Sequence, residues 1–425
     1  MSSRCLNSLA SPSAVPALLF VLSANLCAQA DSEPTSEPIT IGVRETLHSD
    51  ILDEDREIWL HVPSGAREEG ANREGHKRYP VLVLLDGPAH FHHTTGTIDF
   101  LVGNNMMPEV IVAAVANTDR TRDLTPFADD QMTGAMLGGG AEDFLSFLCD
   151  ELIPSIDARY PTAPMRLLIG HSFGGLFAMH ALSARPGFFQ GIVAISPSMQ
   201  WGDQQMVEQV DRWLQDPATR ELSPTSIYMT VGNEGIGLLG GTMKASGLFA
   251  EQGPPSLRWK FTHHPDESHG SVVYPSTVGG LRWIFEGWRL SDATGVWERG
   301  GVAAIEAHYG RLEERLGLEV GVPETLFGDM IFKLASANRA KDCLALIDDL
   351  GPERVPFPPD VFAILANVVF PKSDLESRRR ALSIGLERAP GDPTLRQAAE
   401  NLGMELPPMP AESENGGEEQ AGGGG

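Results

Sequence analysis

The stretch MRLLIGHSFGGLFAMHAL, residues 165–182, decides the fold. It opens on apolar residues of strand character and passes through Gly170-His171-Ser172-Phe173-Gly174-Gly175. It then continues as a helix-like LFAMHAL. A strand that turns directly into a helix around one serine flanked by small residues holds that serine exposed on a sharp, strained turn. A bare G-x-S-x-G is common by chance; the strand before it and the helix after it supply the specificity. The competing reading is an ordinary strand-to-helix turn with an N-capping serine.

Outward from this turn, between about residues 40 and 290, short β-rich runs alternate with helical patterns. The runs are REIWLHV, YPVLVLLDG, EVIVAAVAN, MRLLIG, GIVAIS, SIYMTVG and LRWKFTH. Such alternation predicts an α/β fold, a mostly parallel sheet with crossover helices of the α/β-hydrolase kind. Unbroken apolar runs such as VLVLL suit strands covered on both faces. Helical stripes are expected over EDFLSFLCDEL, with Phe144, Leu148 and Leu152 on one side, and over residues 174–185 and 271–289. Beyond about residue 300 the β-rich runs stop and the pattern becomes helical. Two segments beginning about 34 residues apart there match the period of a tetratricopeptide unit. The second carries Leu365, Ala366, Leu382, Gly385 and Pro390 where that repeat wants large, small, large, small and terminating residues, and Arg378 where it wants a small one. A plain helical bundle fits the segment as well. The expected organisation is a signal peptide over 1–30, a hydrolase domain over 31–298, a tetratricopeptide-like helical region over 299–404 and a disordered tail over 405–425.

The chain has 425 residues, 42% of them hydrophobic and 21% charged, with a formal net charge of -25. That acidity argues against nucleic acid and anionic lipid as partners. Arg4, the apolar run from Val15 to Leu26 and Ala28-Gln29-Ala30 form a secretory signal pattern, so the protein is expected to be exported, periplasmic or secreted. A lipoprotein reading would acylate Cys27, but Leu26 before it is larger than such a site takes. The remaining apolar stretches are too short to span a bilayer. Cys149 and Cys343 lie in apolar helical patterns and read as buried free thiols.

A serine hydroxyl needs a base with a pKa near the working pH, usually histidine. In this fold class the order is serine, acid, histidine, and LRWKFTHHPDESHGSVV supplies His269 in a loop before the final helix. His263 and His264 end the preceding strand and read as structural or rim residues. The acid is expected after SIYMTV, where Glu234 stands; Asp203, after SPSMQW, is the other candidate. Oxyanion donors are expected from the amide of Phe173 and from the LLDGPAHF turn, where Pro88 has no amide hydrogen and Gly87 or Ala89 must donate. Arg120 and Arg122 are candidate ligands for a substrate carboxylate or catecholate, or else loop-holding partners of nearby aspartates. His171 and Trp201 are further candidates for substrate contact. The run 235–247, GIGLLGGTMKASG, reads as a flexible apolar lid or a long loop. The histidines at 263, 264 and 269, with Asp266, match no zinc spacing, and those at 90, 92 and 93 suit a pocket wall; serine chemistry calls for no metal and no cofactor. Gly138-Gly139-Gly140 lacks the Lys-Ser or Lys-Thr pair of a phosphate cradle.

The ordered strings LHSDILDEDREIWLHVP, YPVLVLLDG, MPEVIVAAVANTDRTRDLTP, GHSFGG, SPSMQW and PDESHGSV together resemble the Putative esterase family, in particular its periplasmic siderophore esterases. Feruloyl esterases, S-formylglutathione hydrolases and mycobacterial mycolyltransferases are more distant likenesses. The resemblance covers about residues 39–290 and implies nucleophile Ser172, base His269, acid Glu234 and a small-molecule ester as substrate. Pro88 after the LLDG turn and the acidity of the chain depart from the pattern. An acyltransferase would use the same residues. A third reading is a binding protein whose helical tail holds a second protein or a second copy of the chain.

Overall fold

The computed structural model describes residues 36–69, 77–130 and 134–409. The signal pattern over 1–30 and residues 410–425 of the tail lie outside the described residues.

Among the described residues the ten strands are β1 Val43–Ser49, β2 Glu54–His61, β3 Tyr79–Leu84, β4 Ile111–Val115, β5 Ala128–Asp129, β6 Leu137–Gly138, β7 Thr162–His171, β8 Gly191–Ile195, β9 Thr225–Val231 and β10 Leu257–His263. β5 and β6 pair only with each other. The rest form one eight-stranded sheet in the order β1-β2-β4-β3-β7-β8-β9-β10. β1 and β2 are antiparallel, as are β2 and β4, and every other pairing is parallel. The seven β-rich runs all become strands of this sheet. β1, VRETLHS, is the one the sequence reading omits: an edge strand that answers β2 residue for residue from Val43 opposite Leu60 to Ser49 opposite Glu54.

Alternation along the central strands explains their continuous apolar character. Leu82, Leu84, Leu167, Ile169, Val193 and Ile195 enter one buried cluster. Their neighbours Val81, Val83, Leu168, Ile192 and Ala194 enter another. Successive side chains point to opposite faces, so a strand covered on both must be apolar throughout. The second cluster takes in Phe144, Leu148 and Leu152 and the helices Phe173–Ala184, Gln205–Gln215 and Ile236–Gln252. The last of these corrects the reading of 235–247 as a long loop: the run is helical from Ile236. Its glycines do not prevent a helix, and at Gly241 an added Cβ would lie 2.5 Å from the Cβ of Met199. That glycine is there for close packing.

The first cluster includes Phe91 and Leu101 of the helix Gly87–Gly103 and Leu281 and Ile284 of the helix Val273–Ile284, then runs on into the C-terminal helices. These are Ala293–Leu316, Glu324–Ser336, Ala340–Leu350, Val361–Ile364 with its continuation Leu365–Val369, Leu375–Arg388 and Pro393–Asn401. The helix from Ala293 kinks at Gly300 and Gly301, the latter with φ 69°. Asp349 spans the kink, accepting from Trp297 Nε1 at 2.9 Å and from the Val302 amide at 2.8 Å. The expected boundary at 298/299 falls beside this kink. Cys149 and Cys343 are free and buried, and burial pushes each thiol up to about 12. Among the described residues, no helix is long and apolar enough to cross a membrane.

Candidate active site

Ser172 follows β7 with φ 60° and ψ -115° and caps the helix Phe173–Ala184. Such a backbone is sparsely populated for any residue but glycine. It is held by the tight crossing of strand and helix. A Cβ on Gly170 would come within 2.1 Å of the Gly174 carbonyl, and one on Gly175 within 2.8 Å of the Ile195 carbonyl. The Ser172 amide donates to Ile195 O at 2.9 Å, and its carbonyl accepts from Leu176 and Ser198. The Ser172 hydroxyl lies 3.3 Å from that of Ser198.

Glu234 follows β9 and His269 follows β10. Their loops are tied together by the Asn233 amide donating to Glu267 O at 2.6 Å, and the His264 amide donating to Val231 O at 2.8 Å. Glu234 Oε2 then meets His269 Nδ1. Its other oxygen accepts from the Ser196 hydroxyl at 2.5 Å and the Gly232 amide at 2.8 Å. Burial would raise the Glu234 pKa, but the hydrogen bonds from Ser196, His269 and Gly232 outweigh it and hold the carboxyl below its usual value. With Nδ1 bound to the carboxylate, Nε2 is the nitrogen left for the cleft. Asp203, the other candidate acid, sits exposed in a turn and does not line this cleft. The cleft has a volume of about 470 Å3 and brings Ser172, His269 and Glu234 together with Phe173, Ser198 and Leu238.

His171 Nε2 donates to the His269 carbonyl at 2.8 Å, with the two rings 4.5 Å apart. Burial, reinforced by the neighbouring His269 and His90, pushes His171 down to about 4, so it is neutral at pH 7 and carries one N–H. His90 packs edge-on against His171 and His93 edge-on against His90, the His90 Nδ1 and His93 Nε2 lying 3.2 Å apart. Phe173 and Gly87 each open a helix, so neither amide has an intrahelical carbonyl to reach. The Ala89 amide already donates to Asp86 O at 3.0 Å.

The Putative esterase family's model matches residues 49–274, more than half of the chain. The chain belongs to the Putative esterase family. With the family comes the reaction class, hydrolysis of carboxylic esters. The siderophore enterobactin esterase of Emericella nidulans is 25% identical over 229 residues, which are 46% of this chain and 74% of that one. The ferri-bacillibactin esterase BesA of Bacillus subtilis is 30% identical over 172 residues, 36% of this chain and 59% of its relative, so that match spans less than two thirds of the relative. Among solved structures, an IroE-like serine hydrolase from Shewanella oneidensis superposes with a TM-score of 0.59 at 24% identity, covering 72% of this chain and 98% of the other, and agrees with it in fold.

In this esterase the remaining sequence candidates sit outside the cleft lining. Arg120 clamps both oxygens of Asp86, at 2.6 and 2.9 Å, and reaches the His171 carbonyl at 3.2 Å. Burial alone would raise the Asp86 pKa; Arg120 and Asn117 hold it below the usual value. Arg122 pairs with Asp123 at 2.7 Å and Glu54 at 2.6 Å, in a network that includes buried Arg56. Trp201 is buried, donating to Phe127 O at 2.7 Å and packing edge-on against Phe173. Sequence reasoning missed Ser196 and Ser198. Their signal was the SPS of SPSMQW directly after β8, at the sheet edge where the other site residues emerge.

Proposed function

We propose that this esterase cleaves carboxylic esters through an acyl-enzyme on Ser172. The observation that carries the reading is the Glu234 carboxylate bound to Nδ1 of His269 within the cleft that exposes Ser172. His269 Nε2 takes the hydroxyl proton as Ser172 Oγ bonds to the ester carbon, and passes it to the departing alkoxide as the C–O bond breaks. Water, deprotonated by the same nitrogen, then adds to the acyl-enzyme and releases the acid and free Ser172. Glu234 fixes the imidazole tautomer and offsets its positive charge during each transfer. The amides of Phe173 and Gly87 are the proposed donors to the tetrahedral oxyanion. A siderophore lactone or similar ester is the substrate suggested by the relatives' names. Export through residues 1–30 and a division into hydrolase and helical regions near 298/299 belong to the same reading. So does a repeat-like tail, which the helix starts at Glu324 and Val361, and at Ala340 and Leu375, support. A fluorophosphonate probe tests the mechanism: it should label the wild-type chain and fail on Ser172→Ala, and labelling that survives this substitution would overturn the assignment.

A further inference from the structure

The cleft at Ser172 has a one-sided charge. Among its described lining residues the only ionisable side chains are Glu234 and His269; the rest are apolar (Phe173, Leu238) or neutral and polar (Gln200, Asn233 and two serines). The two arginines of the neighbouring helix Arg120–Leu124 are already ion-paired. Arg120 is clamped on Asp86, and Arg122 is shared between Asp123 and Glu54. Lys244, on the helix that contributes Leu238, is exposed, donates to the neutral Gln204 Oε1 at 2.6 Å and does not line the cleft. Glu234 is 3% exposed at its side chain, and the whole chain carries a formal -25. A partly enclosed site with one buried carboxylate, in a chain of that charge, focuses negative potential on whatever enters it. An anionic substrate group would stand beside Glu234 and the developing oxyanion with no Lys or Arg among the cleft's described lining residues to receive it.

We propose that this cleft selects uncharged esters and discriminates against anionic ones, a selectivity that rests on the serine-esterase reading above. It separates substrates by charge at the reacting end, whatever their size. For a lactone built from acidic units, it favours the form whose charges are masked or absent over the polyanionic form.

Three p-nitrophenyl esters of similar length test this: the neutral butyrate, the hemisuccinate with its terminal carboxylate, and the cationic 4-trimethylammoniobutyrate. Each rate is corrected by the Ser172→Ala blank. At low ionic strength kcat/KM for the hemisuccinate should lie about tenfold or more below the butyrate, with the cationic ester at least equal to it. Salt should narrow the gap by screening the field. Equal rates on butyrate and hemisuccinate, or a hemisuccinate rate that falls with salt, would overturn the selectivity. So would Arg120→Gln lowering turnover of the hemisuccinate alone, because that guanidinium would then be a substrate contact. If none of the three is cleaved and Ser172 does not label, the serine-esterase reading itself fails, and the selectivity with it.

Discussion

The sheet region and the C-terminal helices are built from the same kinds of buried side chain but use their polar residues differently. In the sheet region, polar groups gather where parallel strands end: Asp86 after β3, Ser172 after β7, Ser196 after β8, Glu234 after β9 and His269 after β10. Each hydrogen-bonds to a residue from another segment of the chain. In the helical region, beside surface ion pairs, several polar contacts brace backbone. Asp349 bridges the kink at Gly300 and Gly301, His308 Nε2 meets the Gly287 carbonyl at 2.9 Å, and Arg315 donates to the Glu286 carbonyl. The apolar cluster under one sheet face continues through Phe285, Val302, Ile305 and Tyr309. Open parallel sheets offer ligand sites at their carboxyl edge because loops from separate strands converge there. The helices add packing to one face of that scaffold, and chemistry and stability should therefore respond to different substitutions.

The largest separation is expected at Ser172 and His269. Alanine at either should lower kcat for a short p-nitrophenyl ester by about 10^4-fold or more, with thermal unfolding little changed. Substantial residual turnover would count against the pair. Glu234→Gln should cost about 10^2 to 10^3-fold, less than either. Asp203→Asn should stay within about twofold of wild type on the same additive logic for sites without contact; if it proved the more damaging, the acid would be reassigned. The hydrogen bond from His171 to the His269 carbonyl makes a positioning role testable. Replacement of His171 by Phe should lower kcat about tenfold at nearly constant KM, and Gln, which keeps a donor, should recover part of the loss. A purely structural role would show instead as equal loss in both variants.

On the other side of the comparison, Ile305→Ala should lower unfolding free energy by about 2–4 kcal/mol while kcat/KM holds. A fall in both would mean that the helices reach the chemistry after all. Removing residues 300–425 takes away that packing wholesale. The truncated chain should unfold at a lower temperature yet still turn over a small ester within a few fold, whereas an insoluble product would make the two regions one folding unit. The smallest effect concerns Glu54. Burial opposes its ionisation, but hydrogen bonds from Arg122, Arg56 and Thr118 win and bring its pKa to about 2 from 4.5. A folded value below the unfolded one means that its stabilisation is complete above the unfolded pKa and is lost as pH falls towards the folded one. Denaturant titrations of Glu54→Gln should therefore differ from wild type at neutral pH and converge with it as pH drops below about 4.5.

The same contrast governs what could be read before the structure. Strands buried on both faces need unbroken apolar runs, so β3, β4 and β7 to β9 announce themselves. β1 has one strand neighbour and mostly exposed side chains, and VRETLHS carries no such run. The helix Ile236–Gln252 reads as a loop because glycine usually marks flexibility, whereas Gly241 answers the approach of Met199 from another segment. Ser172, Glu234 and His269 were legible because the order of strands fixes which loops can hold them. The Ser196 bond to Glu234 spans 38 positions, and the Arg120 clamp on Asp86 spans 34. Such pairings are set by tertiary approach and leave no local spacing to recognise.

The backbone of Ser172 has an evolutionary consequence. At φ 60° and ψ -115° it occupies a conformation natural to glycine, and positions of this kind cost on the order of 1–3 kcal/mol. A chance Ser172→Gly change would remove the proposed nucleophile and at the same time relax the turn. Inactive descendants of this gene would then be more robust than the active parent, and only selection for turnover keeps the serine where it is. A lineage released from that selection should drift towards a sturdier, silent fold, free to be reused for binding.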